Sequence, residues 1–234
     1  MIRRIMLHFE QEIAALKETL LTMASLAEAA VNKAIKALVE RDDDLARAVK
    51  EEDNAIDRFE IELDDMAINL LSKAPLASDL RLITVAMKIS HDLERVGDEA
   101  TTIVRRSLEL SQEPQLKPYI DIPRMAKKAL QMLGDALDAF VNRNPEKARA
   151  VIPRDQEVDL LNKQLHRELS SYMVEKPTTI TRCLNLMVIS KSLERIADHA
   201  TNVAEEVVYL YEAKDIRHTG KGEAPASGTG SGST

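Results

Sequence analysis

The sequence predicts an all-α protein built as two tandem three-helix bundles, six long helices in all. Three observations lead there. Side chains of good helix propensity dominate the 234 residues, while tryptophan is absent and only three Phe and four Tyr occur, so the β-branched and aromatic clusters of a sheet are scarce. Five of the seven glycines stand at 220 or later, leaving Gly97 and Gly134 as the only ones before. Finally, the chain repeats itself: "ALVERDDDLARAV" from residue 37 aligns with "AFVNRNPEKARAV" from 139, and "MKISHDLERVGDEAT" from 87 with "MVISKSLERIADHAT" from 187.

Each element has a local cause. Ile13, Leu16, Leu20, Met23, Ala27, Ala30 and Ala34 step by three and four residues, the seam of a first helix. Asp42 to Asp44 supply the capping chemistry that starts a second, in which Ile56, Leu63 and Leu70 run to a stop near Pro75. Ile89, Leu93, Val96, Ala100 and Ile103 mark the third. "QEPQLKPYIDIP", with three prolines, is the joint between units. The second unit repeats the plan over 121–142, 146–175 and 179–213, with Leu186, Ile189, Leu193, Ile196, Ala200 and Val203 as its last seam. Pro153 replaces Glu51 of the first unit, so the fifth helix is expected to break into a short piece ending at 151 and a long one from about 153. Short connections make neighbouring helices antiparallel. The boundaries that follow are a first bundle over 1–112, a linker over 113–118, a second bundle over 119–214, and a disordered Gly/Ser-rich tail over 215–234.

Composition removes several functions. A formal net charge of −7 argues against a nucleic-acid partner, which needs a basic face. One cysteine, Cys183, excludes an intramolecular disulfide or a Cys-rich zinc site, and its place in the repeat opposite Ile83 reads as small core filler. No signal peptide opens the chain and no apolar run approaches the ~20 residues of a membrane span, so a soluble, cytoplasmic protein is expected. No nucleophile–base set or Gly-rich phosphate loop is arranged for catalysis, and no catalytic residue is assigned.

The repeat also filters the acids. Between Glu40 and Glu109 the first unit carries eighteen Asp and Glu residues, and thirteen face something else in the second: Asp92 faces Ser192, Glu99 faces His199, Glu62 faces Gln164. Of the five that persist, Asp44 with Glu146 suits a helix start. The other four are two i, i+4 pairs: Asp53 and Asp57 return as Asp155 and Asp159, Glu94 and Asp98 as Glu194 and Asp198. Like charges one turn apart cost an isolated helix roughly 0.2–0.5 kcal/mol. In an antiparallel hairpin the two pairs stand at the same height, where four carboxylates must either protonate or share a cation. Oxygen ligands alone suit hard ions such as Mg²⁺, Mn²⁺, Ca²⁺ or ferric iron. Thr101 and Thr201 continue the same face and are expected behind the ligands, with Gly97 (Ala197 in the repeat) keeping the turn slim.

These motifs, "DLERVGDEAT" and "LERIADHATNVAEEVVYL" in tandem three-helix units, resemble the PhoU family of phosphate-signalling regulators over residues 1–213. The resemblance implies multinuclear metal clusters, with iron and zinc among the metals, held by Asp53, Asp57, Glu94 and Asp98 and by Asp155, Asp159, Glu194 and Asp198. Pro153 and Ser192 make the second site the leaner expectation. It further implies a non-enzymatic negative regulator of the phosphate-starvation response, an adaptor between the phosphate ABC transporter, through its ATPase, and a membrane sensor histidine kinase, cytoplasmic and peripheral to the inner membrane through these partners. A homodimer is expected. Two alternatives stand beside it: a carboxylate-bridged di-metal oxidoreductase, disfavoured because no Glu precedes any histidine by three residues, and a metal-free helical scaffold. Arg95 and Arg195, beside each glutamate, read as salt-bridge or interface residues.

Overall fold

A computed structural model of the chain describes residues 2–74 and 76–217. Its helices are α1 (Ile2–Glu40), α2 (Asp43–Leu71), α3 (Ala77–Ser111), α4 (Asp121–Val141), α5 (Pro145–Val151), α6 (Asp155–Glu175) and α7 (Ile180–Glu212), with single 3₁₀ turns at Ile152–Arg154 and Pro177–Thr179. No strand occurs among the described residues. The break around Pro153 falls where the missing backbone donor demands it, the 3₁₀ turn joining the two pieces of one rod. The stop placed at Pro75 and residues 218–234 of the expected tail lie outside the described residues.

Caps answer the repeat. Asp42 accepts from the Leu45 amide at 2.9 Å and Asn144 from the Lys147 amide at 2.9 Å, each satisfying a donor of a first turn. The residues just before these caps, Arg41 and Arg143, take left-handed φ values of 57° and 53°, a conformation that costs a non-glycine residue roughly 1 kcal/mol. Arg41 returns some of it: its guanidinium donates to the carbonyls of Leu110, Ser111 and Glu113 at 3.2, 2.7 and 2.6 Å, placing a cation at the C-terminal end of α3.

Helices α1 and α2 flank α3, and α4, α5 and α6 flank α7. The two central helices also pack against each other, antiparallel: Lys88 meets Glu206 at 3.0 Å, Asp92 meets His199 at 2.8 Å, and Glu99 meets Arg195 at 3.1 Å. One hydrophobic core therefore runs through both units, from Leu16 and Leu20 of α1 to Val207 and Val208 of α7. The joint between units is held from both sides. Arg182 donates to the Pro114 carbonyl at 2.9 Å and ion-pairs with Glu113 at 3.1 Å, and Lys117 pairs with Glu168. No helix of the described residues is long and apolar enough to cross a membrane.

Candidate metal centres

Antiparallel packing of α2 on α3 brings the first set of acids together. Asp53 crosses to Asp98: loss of water around its carboxyl, then the charges of Asp57 and Asp98, push its pKa up to about 6. Glu94 is raised as well, by burial first and Asp98 second, with Arg95 opposing. Arg95 bridges the pair, 3.4 Å from Glu94 and 3.3 Å from Asp98. Asp57 is exposed at the rim.

The second set is the tighter one. Asp155 is pushed up to about 6 by burial and then by Asp198, Asp159 and Glu194, so the other three duplicated acids of the unit all act on it. Asp198, an exposed residue, is raised too, by loss of water around its carboxyl and then by Glu194. Glu194 is 8% exposed and ion-pairs with Lys191, while Lys163 stands 3.6 Å from Asp159. The expected leaner site is thus the more enclosed, with lysines supplying part of the missing positive charge.

Carboxylates crowded in this way fit a bound cation. Asp155 Oδ1 and Thr201 Oγ1 are buried without a hydrogen-bond partner among the described residues, and so is Glu94 Oε2, whose ion pair with Arg95 lacks hydrogen-bond geometry. A buried anionic oxygen left in that state costs about 1–3 kcal/mol or more. Asp53, Asp57, Glu94 and Asp98 in one unit and Asp155, Asp159, Glu194 and Asp198 in the other could hold hard divalent ions, each carboxylate having two oxygens for bridging. The threonines differ: Thr101 turns back to the Asp98 carbonyl at 2.8 Å and does not reach a carboxylate, whereas the Thr201 hydroxyl is unspent.

Gly97 has a reason for being glycine. A Cβ there would lie 3.0 Å from Ile56 Cδ1 and 3.1 Å from Asp53 Oδ1. The second unit moves the methyl across the contact: Ala197 carries the Cβ, and Val158 stands where Ile56 is, all four positions being buried. Ile56→Val alone should cost about 0.5–1.5 kcal/mol, yet nothing in a Gly97→Ala background. A double-mutant cycle on urea midpoints checks this, with coupling of about 1 kcal/mol expected and simple additivity showing that the exchange is unrelated.

The unmatched acids also find their purpose. Asp92 and Glu99, which the repeat discards, pair with His199 and Arg195 across α3 and α7. Arg95 and Arg195 therefore diverge, the first staying on its own cluster and the second crossing to the other unit. Residues missed from sequence are Glu60 and His91, which close on Glu94. Their signal was available as His-x-x-Glu, one helical turn, the reverse of the order sought.

A family model described as the PhoU domain matches residues 20–107 and again 122–207, each match enclosing one carboxylate cluster. The chain belongs to the PhoU family. The phosphate-specific transport system accessory protein PhoU homologue of Pseudomonas aeruginosa is 40% identical over 214 residues, covering 91% of this chain and 88% of that protein. Its Escherichia coli counterpart, the phosphate-specific transport system accessory protein PhoU, is 32% identical over 216 residues, covering 92% and 90%. Among solved structures, P. aeruginosa PhoU superposes with a TM-score of 0.85 at 39% identity, covering 88% of this chain and 100% of that one. The phosphate transport system regulatory protein PhoU of Streptococcus pneumoniae gives 0.83 at 28%, covering 89% and 99%. These PhoU relatives are named as accessory or regulatory proteins, and the chain, like its family, is not an enzyme.

Proposed function

We propose that this PhoU-family chain is a negative regulator of the phosphate-starvation response, a metal-binding adaptor that couples the phosphate ABC transporter to a sensor histidine kinase and restrains uptake when phosphate is plentiful. The observation that carries the metal half is the duplicated cluster: in each unit one aspartate, Asp53 or Asp155, is raised to a pKa of about 6 by burial and then by its acidic neighbours. Such a site is costly empty and favourable when a divalent or ferric ion shares the oxygens. The bound ion would supply positive charge there, and Asp98 and Asp198, each sensed by the crowded carboxyls across the hairpin, would tie α3 to α2 and α7 to α6. The regulatory half is supported by family membership and by the accessory and regulatory roles named for the relatives. Long helices whose outward faces are charged offer protein-binding surface, as an adaptor needs. Homodimerisation belongs to the same reading, supported by Ile61 and Ile68, 64% and 61% exposed one heptad apart on α2; a single-chain mass in sedimentation velocity removes that part.

Metal analysis of protein purified without chelator tests the first half, with metal expected in the wild type and lost on Glu94→Ala with Asp98→Ala and Glu194→Ala with Asp198→Ala. Equal metal content in all preparations defeats it. For the second half, deleting the gene should switch on a phosphate-starvation reporter in high phosphate, and the wild-type gene should silence it again. A reporter that stays silent in the deletion strain refutes the regulatory assignment. Oxidation of ferrous iron with turnover would instead support the di-metal oxidoreductase.

A further inference from the structure

We propose that Glu60, His91 and Glu94 form a separate site for a zinc-type cation on the flank of the first carboxylate cluster, and that the second unit has exchanged this site for a lysine. One ligand atom from each of the three residues lies within 4.8 Å of the others. His91 and Glu94 are three residues apart on α3 and share a face. Glu60 comes across from α2, two turns beyond Asp53, and its Oε1 stands 3.1 Å from His91 Nδ1. The His91 side chain is 58% exposed and that of Glu94 only 18%, so an ion could enter from solvent and settle against the helix pair.

The donor set selects the ion. A ring nitrogen with two carboxylates suits Zn²⁺, which takes three protein ligands and keeps one position open. Mg²⁺ and Ca²⁺ require more oxygens and have little use for imidazole.

The repeat supplies an internal comparison. Lys191 occupies the position of His91, and Asn162 that of Glu60. In the second unit the Lys191 ammonium pairs with Glu194, and Asn162 is neutral and buried, accepting from Ser190 Oγ at 2.8 Å. The glutamate of that unit thus has a cation attached to the chain itself. In the first unit Glu94 faces Glu60 and His91 instead, and the Arg95 beside it is divided between Glu94 and Asp98. Two carboxylates and a ring nitrogen turned toward one point form a place for an added cation. A surface His91–Glu60 ion pair alone, worth about 0–1 kcal/mol, gives no reason for Glu94 to join them.

The site shares Glu94 with the proposed carboxylate cluster but does not depend on that cluster being filled. The test uses the full chain, stripped with chelator and titrated with Zn²⁺ in millimolar Mg²⁺ by calorimetry, with Co²⁺ absorption as a second readout. The wild type should bind one Zn²⁺ per chain that is weakened at least tenfold by H91Q or by E60Q. The same zinc should vanish in the E60N with H91K variant, which writes the second unit into the first, and survive in D57N. Zinc affinity within threefold of wild type in both H91Q and E60Q overturns the proposal and leaves the carboxylate clusters standing. A His91-dependent zinc in a protein with no response to Mg²⁺ or Mn²⁺ supports it and removes the cluster reading instead.

Discussion

Asparagine at Asp53 and Asp155 should make the chelated protein more stable and at the same time deaf to metal. Both carboxyls sit near pKa 6 in the folded chain, against an ordinary value of 3.8. At pH 7 each is ionised where burial, and then its acidic neighbours, resist the charge, a penalty of about 1–2 kcal/mol apiece once partial exposure is allowed for. An amide of the same shape carries no charge and leaves the penalty behind. The melting temperature of the double variant in chelator should rise by several degrees, since about 1 kcal/mol moves a chain of this size by roughly 2–4 °C. In the wild type, a divalent cation at a hundred times its dissociation constant should add about 2.7 kcal/mol per site, and that gain should be absent from the variant. A structural role predicts the opposite signs: loss of an aspartate that merely holds the helices together lowers the chelated melting temperature. Observing that decrease would refute the metal reading at its physical root.

The pH dependence of the metal-free protein should run against the usual direction for acids. Raised folded-state pKa values mean that the native chain binds more protons than the unfolded one between about 4 and 6. Stability from these groups is therefore fully present below the unfolded pKa and is lost as pH rises through the folded one. The carboxylates of opposite behaviour, such as Glu12 under Lys73 and Asp135 under Arg154, are lowered and act at more acid pH. In chelator the melting temperature should fall by a few degrees from pH 5 to 7.5, and the Asp53→Asn with Asp155→Asn protein should lose most of that slope. Saturating metal should reverse it, because an ion that binds the deprotonated carboxylates releases protons and gains affinity with pH. A chelated wild type with the slope of the double variant would show that the crowding of Asp53 and Asp155 is already relieved by the chain itself.

The architecture was legible because its causes are local. The three-and-four spacing of Leu16, Leu20 and Met23, the cap at Asp42 and the proline at 153 each act within a turn or two of chain, and the helices follow them. The eight carboxylates were legible for a different reason. Duplication compares two copies that need the same chemistry, and Asp53, Asp57, Glu94 and Asp98 persisted while thirteen other acids drifted. Antiparallel pairing then placed them, since helices joined by a short turn can meet only at equal distances from it.

A filter that keeps what both units share is blind to what one unit uses alone. Asp92 and Glu99 were discarded by it, yet they tie α3 to α7. Glu60 and His91 were passed over, yet they converge on Glu94. Periodicity along a helix states which face is buried, not which neighbour covers it, because side chains from different helices are brought together by packing that leaves no period in the sequence. The amino-acid order alone thus settled six rods, their breaks and two sets of duplicated acids. Tertiary packing decided that α3 and α7 share one core, which charges cross between the units, and that Glu94 meets Glu60 and His91 where its counterpart Glu194 meets Lys191.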